Sequence, residues 1–267
     1  MPLPRHSRWV FAGVLAVAAL PAAPSRSAAG IAVTVEEVNA AGQVVPGGGQ
    51  PTFFSASTTG TFTVNALPTP SFQAITVTVD RTTGTPNETN TLTSNVALRP
   101  LGVLTGDHYL RVTVTDDGYV NSHPNGPATV SDTASTAANV RGGTNTAQVQ
   151  TQLKTGTLPG PLSDLGTPTT GATATAPGGG TTSSSPGGAS AVPEHFGVEQ
   201  TIFVIAHADP TQEGITTNST LGGRVVSSVV SSPAAVPAPA GVALALVGLP
   251  LLGLRRLLWR KPAAPAS

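Results

Sequence analysis

Residues 109–115 read YLRVTVT. Successive side chains of an extended chain point to opposite faces, so Leu110, Val112 and Val114 share one side while Tyr109, Arg111, Thr113 and Thr115 share the other. The same period of two spreads outward from this stretch. Ile31, Val33 and Val35 alternate with Ala32, Thr34 and Glu36, Phe62 and Val64 with Thr61 and Thr63, and Ile75, Val77 and Val79 with Thr76 and Thr78. Leu92, Val96 and Leu98 share a parity with Ser94, and Ala147, Val149 and Leu153 continue the series more weakly. Further on, Ile202, Val204 and Ala206 oppose Phe203, Ile205 and His207, while Val225 and Val229 oppose Val226 and Val230. β-branched Val and Thr suit a pleated surface with one buried face, so each run predicts a strand.

Turn-forming residues separate the runs: Pro46-Gly47-Gly48-Gly49, Pro68-Thr69-Pro70, Gly84-Thr85-Pro86, Asp117-Gly118 and Gly142-Gly143. About seven or eight short strands at this spacing predict an all-β chain, an antiparallel Ig-like β-sandwich. No strand–helix alternation is visible, which argues against a doubly wound nucleotide-binding fold. Residues 156–193 carry one charge, Asp164, and hold almost no large apolar residue after Leu165. Such a Gly/Ser/Thr/Pro-rich stretch buries too little surface to offset chain entropy and is expected to be a disordered loop. The expected organisation is a sandwich over 30–155, this loop over 156–193, and the sandwich's final strands over 194–232.

Composition narrows the function classes. The 267 residues include no cysteine, so disulfides and thiolate metal sites are excluded. Thirteen basic residues balance 13 acidic ones and charged residues make up 10% of the chain, which gives no basic patch for nucleic acid.

The two ends carry the localisation signals. Arg5, His6 and Arg8 precede an apolar run, Val10–Leu20, too short to span a bilayer comfortably. Ser27-Ala28-Ala29 then offers a small-x-small cleavage site before Gly30, so residues 1–29 read as a cleaved signal peptide handed to an export translocase. At the other end, Val236-Pro237-Ala238-Pro239 precedes the apolar run Gly241–Leu254, followed by Arg255, Arg256, Arg260 and Lys261 around Trp259. The 14-residue run rises about 21 Å as a helix; continued through Leu257–Trp259 with snorkelling arginines, it forms a transmembrane helix. The basic cluster is expected to remain cytoplasmic, leaving everything upstream outside that membrane.

This order of parts, over residues 236–261, resembles the PEP-CTERM sorting signal of exported bacterial proteins, with Ala238 standing where the family has Glu. The resemblance implies recognition by an exosortase-like membrane peptidase. It also implies a cell-surface or extracellular-matrix setting associated with extracellular polysaccharide.

A search for chemistry yields weaker candidates. Asp116, Asp117 and Asn121 could offer oxygens to Ca²⁺, although their spacing is not that of an EF-hand loop. His195, Glu199, His207 and Asp209 flank the Ile202 strand without a zinc-protease spacing. No Gly-x-Ser-x-Gly elbow or phosphate loop occurs, and Asn87-Glu88-Thr89 and Asn218-Ser219-Thr220 read as chance N-glycosylation triplets in a Thr-rich chain. The expectation is therefore a non-enzymatic surface or matrix protein without catalytic residues, cofactor or metal. The alternatives are a glycan- or calcium-binding adhesin on a plain membrane anchor and, more weakly, a secreted hydrolase.

Overall fold

The computed structural model describes residues 30–56, 60–82, 89–136, 138–177 and 181–233. The predicted signal segment with Ala29 and the tail bearing Val236, Pro237, Ala238, Pro239, Arg255, Arg256, Arg260 and Lys261 lie outside the described residues.

Among the described residues all regular structure is strand: β1 (Ile31–Val38), β2 (Val44–Gly49), β3 (Phe53–Ser55), β4 (Gly60–Ala66), β5 (Phe72–Thr82), β6 (Asn90–Pro100), β7 (Asp107–Val120), β8 (Ala128–Ser135), β9 (Gly143–Thr155), β10 (Ser163–Leu165), β11 (Ala172–Ala176), β12 (Thr182–Ser183), β13 (Gly187–Ala189), β14 (His195–Ala208) and β15 (Leu221–Ser231). They form two antiparallel sheets. One runs β10-β9-β14-β7-β1-β2, with β11 also on β9 and β3 on β1; the other runs β12-β8-β15-β6-β5-β4, with β13 also on β8. The late strands are central: β14 lies between β9 and β7, and β15 between β8 and β6.

The predicted parities hold. Ile31, Val33 and Val35 on β1, Leu110, Val112 and Val114 on β7, and Ile202, Val204 and Ala206 on β14 are buried in one core. Val77 and Val79 on β5, Leu92, Val96 and Leu98 on β6, and Val225 and Val229 on β15 meet them from the second sheet. Outward threonines pair across neighbouring strands, with Thr63 and Thr78 hydroxyls at 3.5 Å and Thr146 and Thr175 at 3.1 Å.

Three local expectations are corrected. The stretch 156–193, expected to be disordered, contains β10 to β13. β10 and β11 pair with successive parts of β9, and β12 and β13 with β8. Without them β9 and β8 would be open edges, so the segment orders by completing two existing ladders rather than by building a core of its own. Its small residues are what the close fit requires. Ala172, Ala174 and Ala176 are buried, and a Cβ on Gly188, whose φ is +151°, would lie 2.2 Å from the Ala128 carbonyl oxygen. Secondly, Pro46-Gly47-Gly48-Gly49 is not a turn but most of edge strand β2, where proline's missing N–H is tolerated. Thirdly, Asp117-Gly118 does not end a strand. β7 continues to Val120, and opposite Phe196–Val198 the register shifts in a bulge, so that Asp116 and Tyr119 both turn inward.

A buried polar cluster bridges the sheets. Gln200 on β14 accepts a hydrogen bond from Ser94 Oγ at 2.5 Å and donates to the Leu92 carbonyl at 2.8 Å and to Ser227 Oγ at 2.7 Å. Ser227 on β15 donates to Asp132 Oδ1 at 2.6 Å, and Thr169 donates to Asp132 Oδ2 at 2.5 Å. The Thr151 hydroxyl lies 2.8 Å from Ser227 Oγ. With Thr151 donating there, each hydroxyl gives one proton and both amide protons of Gln200 are used. Ser94, Asp132, Thr151, Gln200 and Ser227 are all 0% exposed, so satisfying them is a condition of folding.

Truncating Gln200 leaves the Ser94 hydroxyl without its acceptor, takes one donor each from Ser227 Oγ and the Leu92 carbonyl, and opens a cavity. Gln200→Ala is expected to lower unfolding free energy by about 3 kcal/mol or more, and Ser94→Ala by about 1 kcal/mol. Urea denaturation of both variants measures this; equal costs would show that Gln200 is not the hub.

Candidate functional site

The described cleft with the most chemistry lies where the end of β1, edge strand β2 and the start of β7 meet the loop before β5. It encloses about 680 Å³, lined among others by Glu37, Pro46, Ser71, Asp107, His108 and Tyr109. Glu37 shares the inward parity of Ile31, Val33 and Val35 and is 4% exposed. Pro68 and Pro70 flank Thr69 in an extended connection; Thr69 N donates to the Phe72 carbonyl at 2.8 Å, and Phe72 N donates to Thr69 Oγ1 at 3.2 Å. That small turn places Ser71 over Glu37. The Ser71 N–H donates to Glu37 Oε2 at 2.9 Å and the Ser71 hydroxyl to Oε1 at 2.5 Å.

His108, at the inward parity of Leu110, completes the group, its Nδ1 2.9 Å from Ser71 Oγ and 3.9 Å from Glu37 Oε1. The Phe72 ring meets it edge-on at 6.4 Å. The serine has one proton and gives it to the carboxylate. His108 must therefore supply the proton of its own contact from Nδ1, which leaves Nε2 as the acceptor of the neutral ring. The arrangement presents an imidazole acceptor, oriented through serine by a buried carboxylate, at a partly exposed position. On the opposite face of β7, Asp107 pairs with His207 Nδ1 at 3.0 Å and accepts from the Tyr109 hydroxyl at 3.4 Å. Partial burial first, then the Asp107 carboxylate, push the Tyr109 hydroxyl above its ordinary value.

The residues singled out for chemistry go to separate partners. Asp116 is fully buried and takes Arg81 Nη1 at 2.6 Å from across the sandwich, along with the Gly118 N–H at 2.9 Å. Asp117 accepts the Gly30 and Leu158 N–H groups, each at 2.6 Å. Asn121 donates to the Val192 carbonyl at 2.8 Å and accepts the His123 N–H at 2.9 Å. The three do not converge on one point. Glu199 joins Asp164 around Lys154, at 2.8 and 2.6 Å. Partial burial disfavours the Lys154 ammonium, but the hydrogen bonds it donates to Asp164 and Glu199 outweigh this and raise its pKa. Asp209 caps its own turn, and the Thr211 hydroxyl, the Thr211 N–H and Gln212 hold its carboxyl below the usual value. His195 is exposed, with its Nε2 3.7 Å from Glu194. Among the described residues no group of three or more His, Asp or Glu is placed to hold a metal ion.

Glu37 and Ser71 were not singled out from the sequence, nor their meeting with His108, yet a signal existed. Glu37, His108, Arg81 and Asp116 each stand at an inward position of an otherwise apolar run. Tyr119, stacked on Phe196 at 5.6 Å, donates to the Thr91 carbonyl at 3.3 Å; burial, then the Asp116 charge, push its hydroxyl well above the ordinary range.

Burial raises the Asp116 carboxyl above its ordinary 3.8, outweighing the lowering by Arg81 and the Gly118 N–H. Over the interval between unfolded and folded values the folded chain keeps a proton that the unfolded chain has lost. The contribution to stability is therefore full below the unfolded value and declines as pH rises through the folded one. Asp116→Asn keeps the shape and removes the titration. The stability of the wild type relative to this variant is expected to fall between about pH 3 and pH 7. Urea titrations at both pH values check the sign.

No protein-family model matches the chain, and no curated protein matches it.

Proposed function

We propose that this chain is an exported, non-enzymatic cell-surface or extracellular-matrix protein of Ig-like sandwich type, sorted or anchored through a PEP-CTERM-like tail. The observation that carries the reading is where the described strands lie. The first, β1, begins at Ile31, just after the expected cleavage site, and the last, β15, ends at Ser231, shortly before the Pro237-Ala238-Pro239 motif. The expected export signals thus lie on either side of the described strands. The outward threonine pairs also suit a hydrated polysaccharide environment, in which hydroxyl groups exchange readily for water. Export through a translocase, then an exosortase-like peptidase acting at the tail, would leave the sandwich outside the cell.

Mass spectrometry of the protein from its native host tests this. A mature chain starting at Gly30 and ending near Pro239 is the expected result for cleavage at both ends. An intact tail in the membrane fraction points to plain anchoring, and an intact N-terminus in the cytoplasm overturns export. Replacing Arg255, Arg256, Arg260 and Lys261 together by Gln is expected to impair retention or orientation of the tail, read by fractionation.

The Glu37–Ser71–His108 cleft favours one second reading, a glycan-binding adhesin, because an oriented imidazole acceptor beside Tyr109 suits a sugar hydroxyl and ring. Titration with the host's own exopolysaccharide is expected to show binding that His108→Ala weakens about tenfold. Unchanged binding removes the cleft from consideration.

A further inference from the structure

Asp117 holds the residue that precedes β1. Gly30 is buried, its nitrogen lies 2.6 Å from Asp117 Oδ1, and the Asp117 N–H returns to the Gly30 carbonyl at 3.2 Å. The second carboxylate oxygen takes the Leu158 N–H at 2.6 Å, so the same side chain also fixes the turn that leads into β10. Asp117 makes no ion pair with any described side chain. A Cβ on Gly30 would lie 2.7 and 2.8 Å from two ring carbons of Phe54, an exposed side chain that would have to swing aside.

We infer that removal of the signal segment creates a structural ion pair, with the new α-ammonium of Gly30 seated on the Asp117 carboxylate. The inference rests on the export reading, since it requires the cut between Ala29 and Gly30. Hydrolysis of that bond by the export-associated signal peptidase adds one water. Its oxygen joins the Ala29 carboxylate, and the Gly30 nitrogen, which already carries one proton, takes two more to become an ammonium. A neutral amide donor 2.6 Å from a carboxylate thereby becomes a charge-assisted one. Asp117 also reaches the Leu158 turn, so processing strengthens a junction of β1, the bulge of β7 and the segment that covers β9. Cleavage thus converts an amide contact of the precursor into an ion pair of the mature chain.

The test compares two forms of the full chain through Ser267, one beginning at Gly30 and one retaining Ala29, in which Gly30 keeps an amide nitrogen. Asp117→Asn is introduced into both. The ion pair is expected to make this substitution lower Tm by about 4 °C more in the Gly30 form than in the Ala29 form. Equal shifts overturn the inference, leaving Asp117 an ordinary amide acceptor. A second readout needs no variant: at neutral pH an amine-specific reagent is expected to label the Gly30 amine several-fold more slowly than the Ala29 amine, and equal rates again overturn the ion pair. Sequencing the N-terminus of the exported protein separates the two levels. A start elsewhere than Gly30 rejects the cut and with it the inference, whereas a start at Gly30 with equal Tm shifts rejects the ion pair and leaves export standing.

Discussion

Gln200 occupies the middle of the molecule and cannot be satisfied by its own sheet. Its amide reaches Ser94 and the Leu92 carbonyl on β6 and Ser227 on β15, and through Ser227 it is joined to Asp132 on β8 and Thr151 on β9. An unpaired polar group at 0% exposure costs on the order of 1–3 kcal/mol, more for a charge, so each of these strands has one favourable register against the others. Hydrophobic contact brings the sheets together without direction. The polar cluster is directional, and it decides which rung faces which. Thr169 adds the long β9–β14 connection to the same cluster by donating to Asp132, and Ser184 accepts the Asp132 N–H at 2.9 Å.

The same design is repeated at the periphery. Arg81 on β5 and Asp116 on β7 meet across the core at 2.6 Å, and Glu37, Ser71 and His108 close one end of it. Burying a pair of charges stabilises little in net terms, but separating them is costly, so such pairs favour one arrangement over its near neighbours. Asp117 ties the residue before β1 to the turn before β10. That carboxylate organises the bulge region of β7 while holding the residue at which export is expected to expose a new terminus.

A sandwich whose central strands are its last two has a folding consequence. β14 and β15 must arrive before either sheet is continuous, so closure depends on pairings far apart in sequence, which are slow to form.

By itself the sequence determined the class of structure and the face of each main strand, because period-two alternation is a local property that survives without knowledge of any partner. It also held the positions of the buried polar groups: Glu37, Arg81, Ser94, Asp116, Asp132 and Gln200 each interrupt an apolar parity. Only the tertiary structure decided what those interruptions are for, since Gln200 meets Ser94 across 106 residues and Arg81 meets Asp116 across 35. The ordering of β10 to β13 was likewise illegible locally. Those strands bury little surface of their own and exist because β8 and β9 offer them unpaired backbone, a property of the assembled sheets and not of the segment.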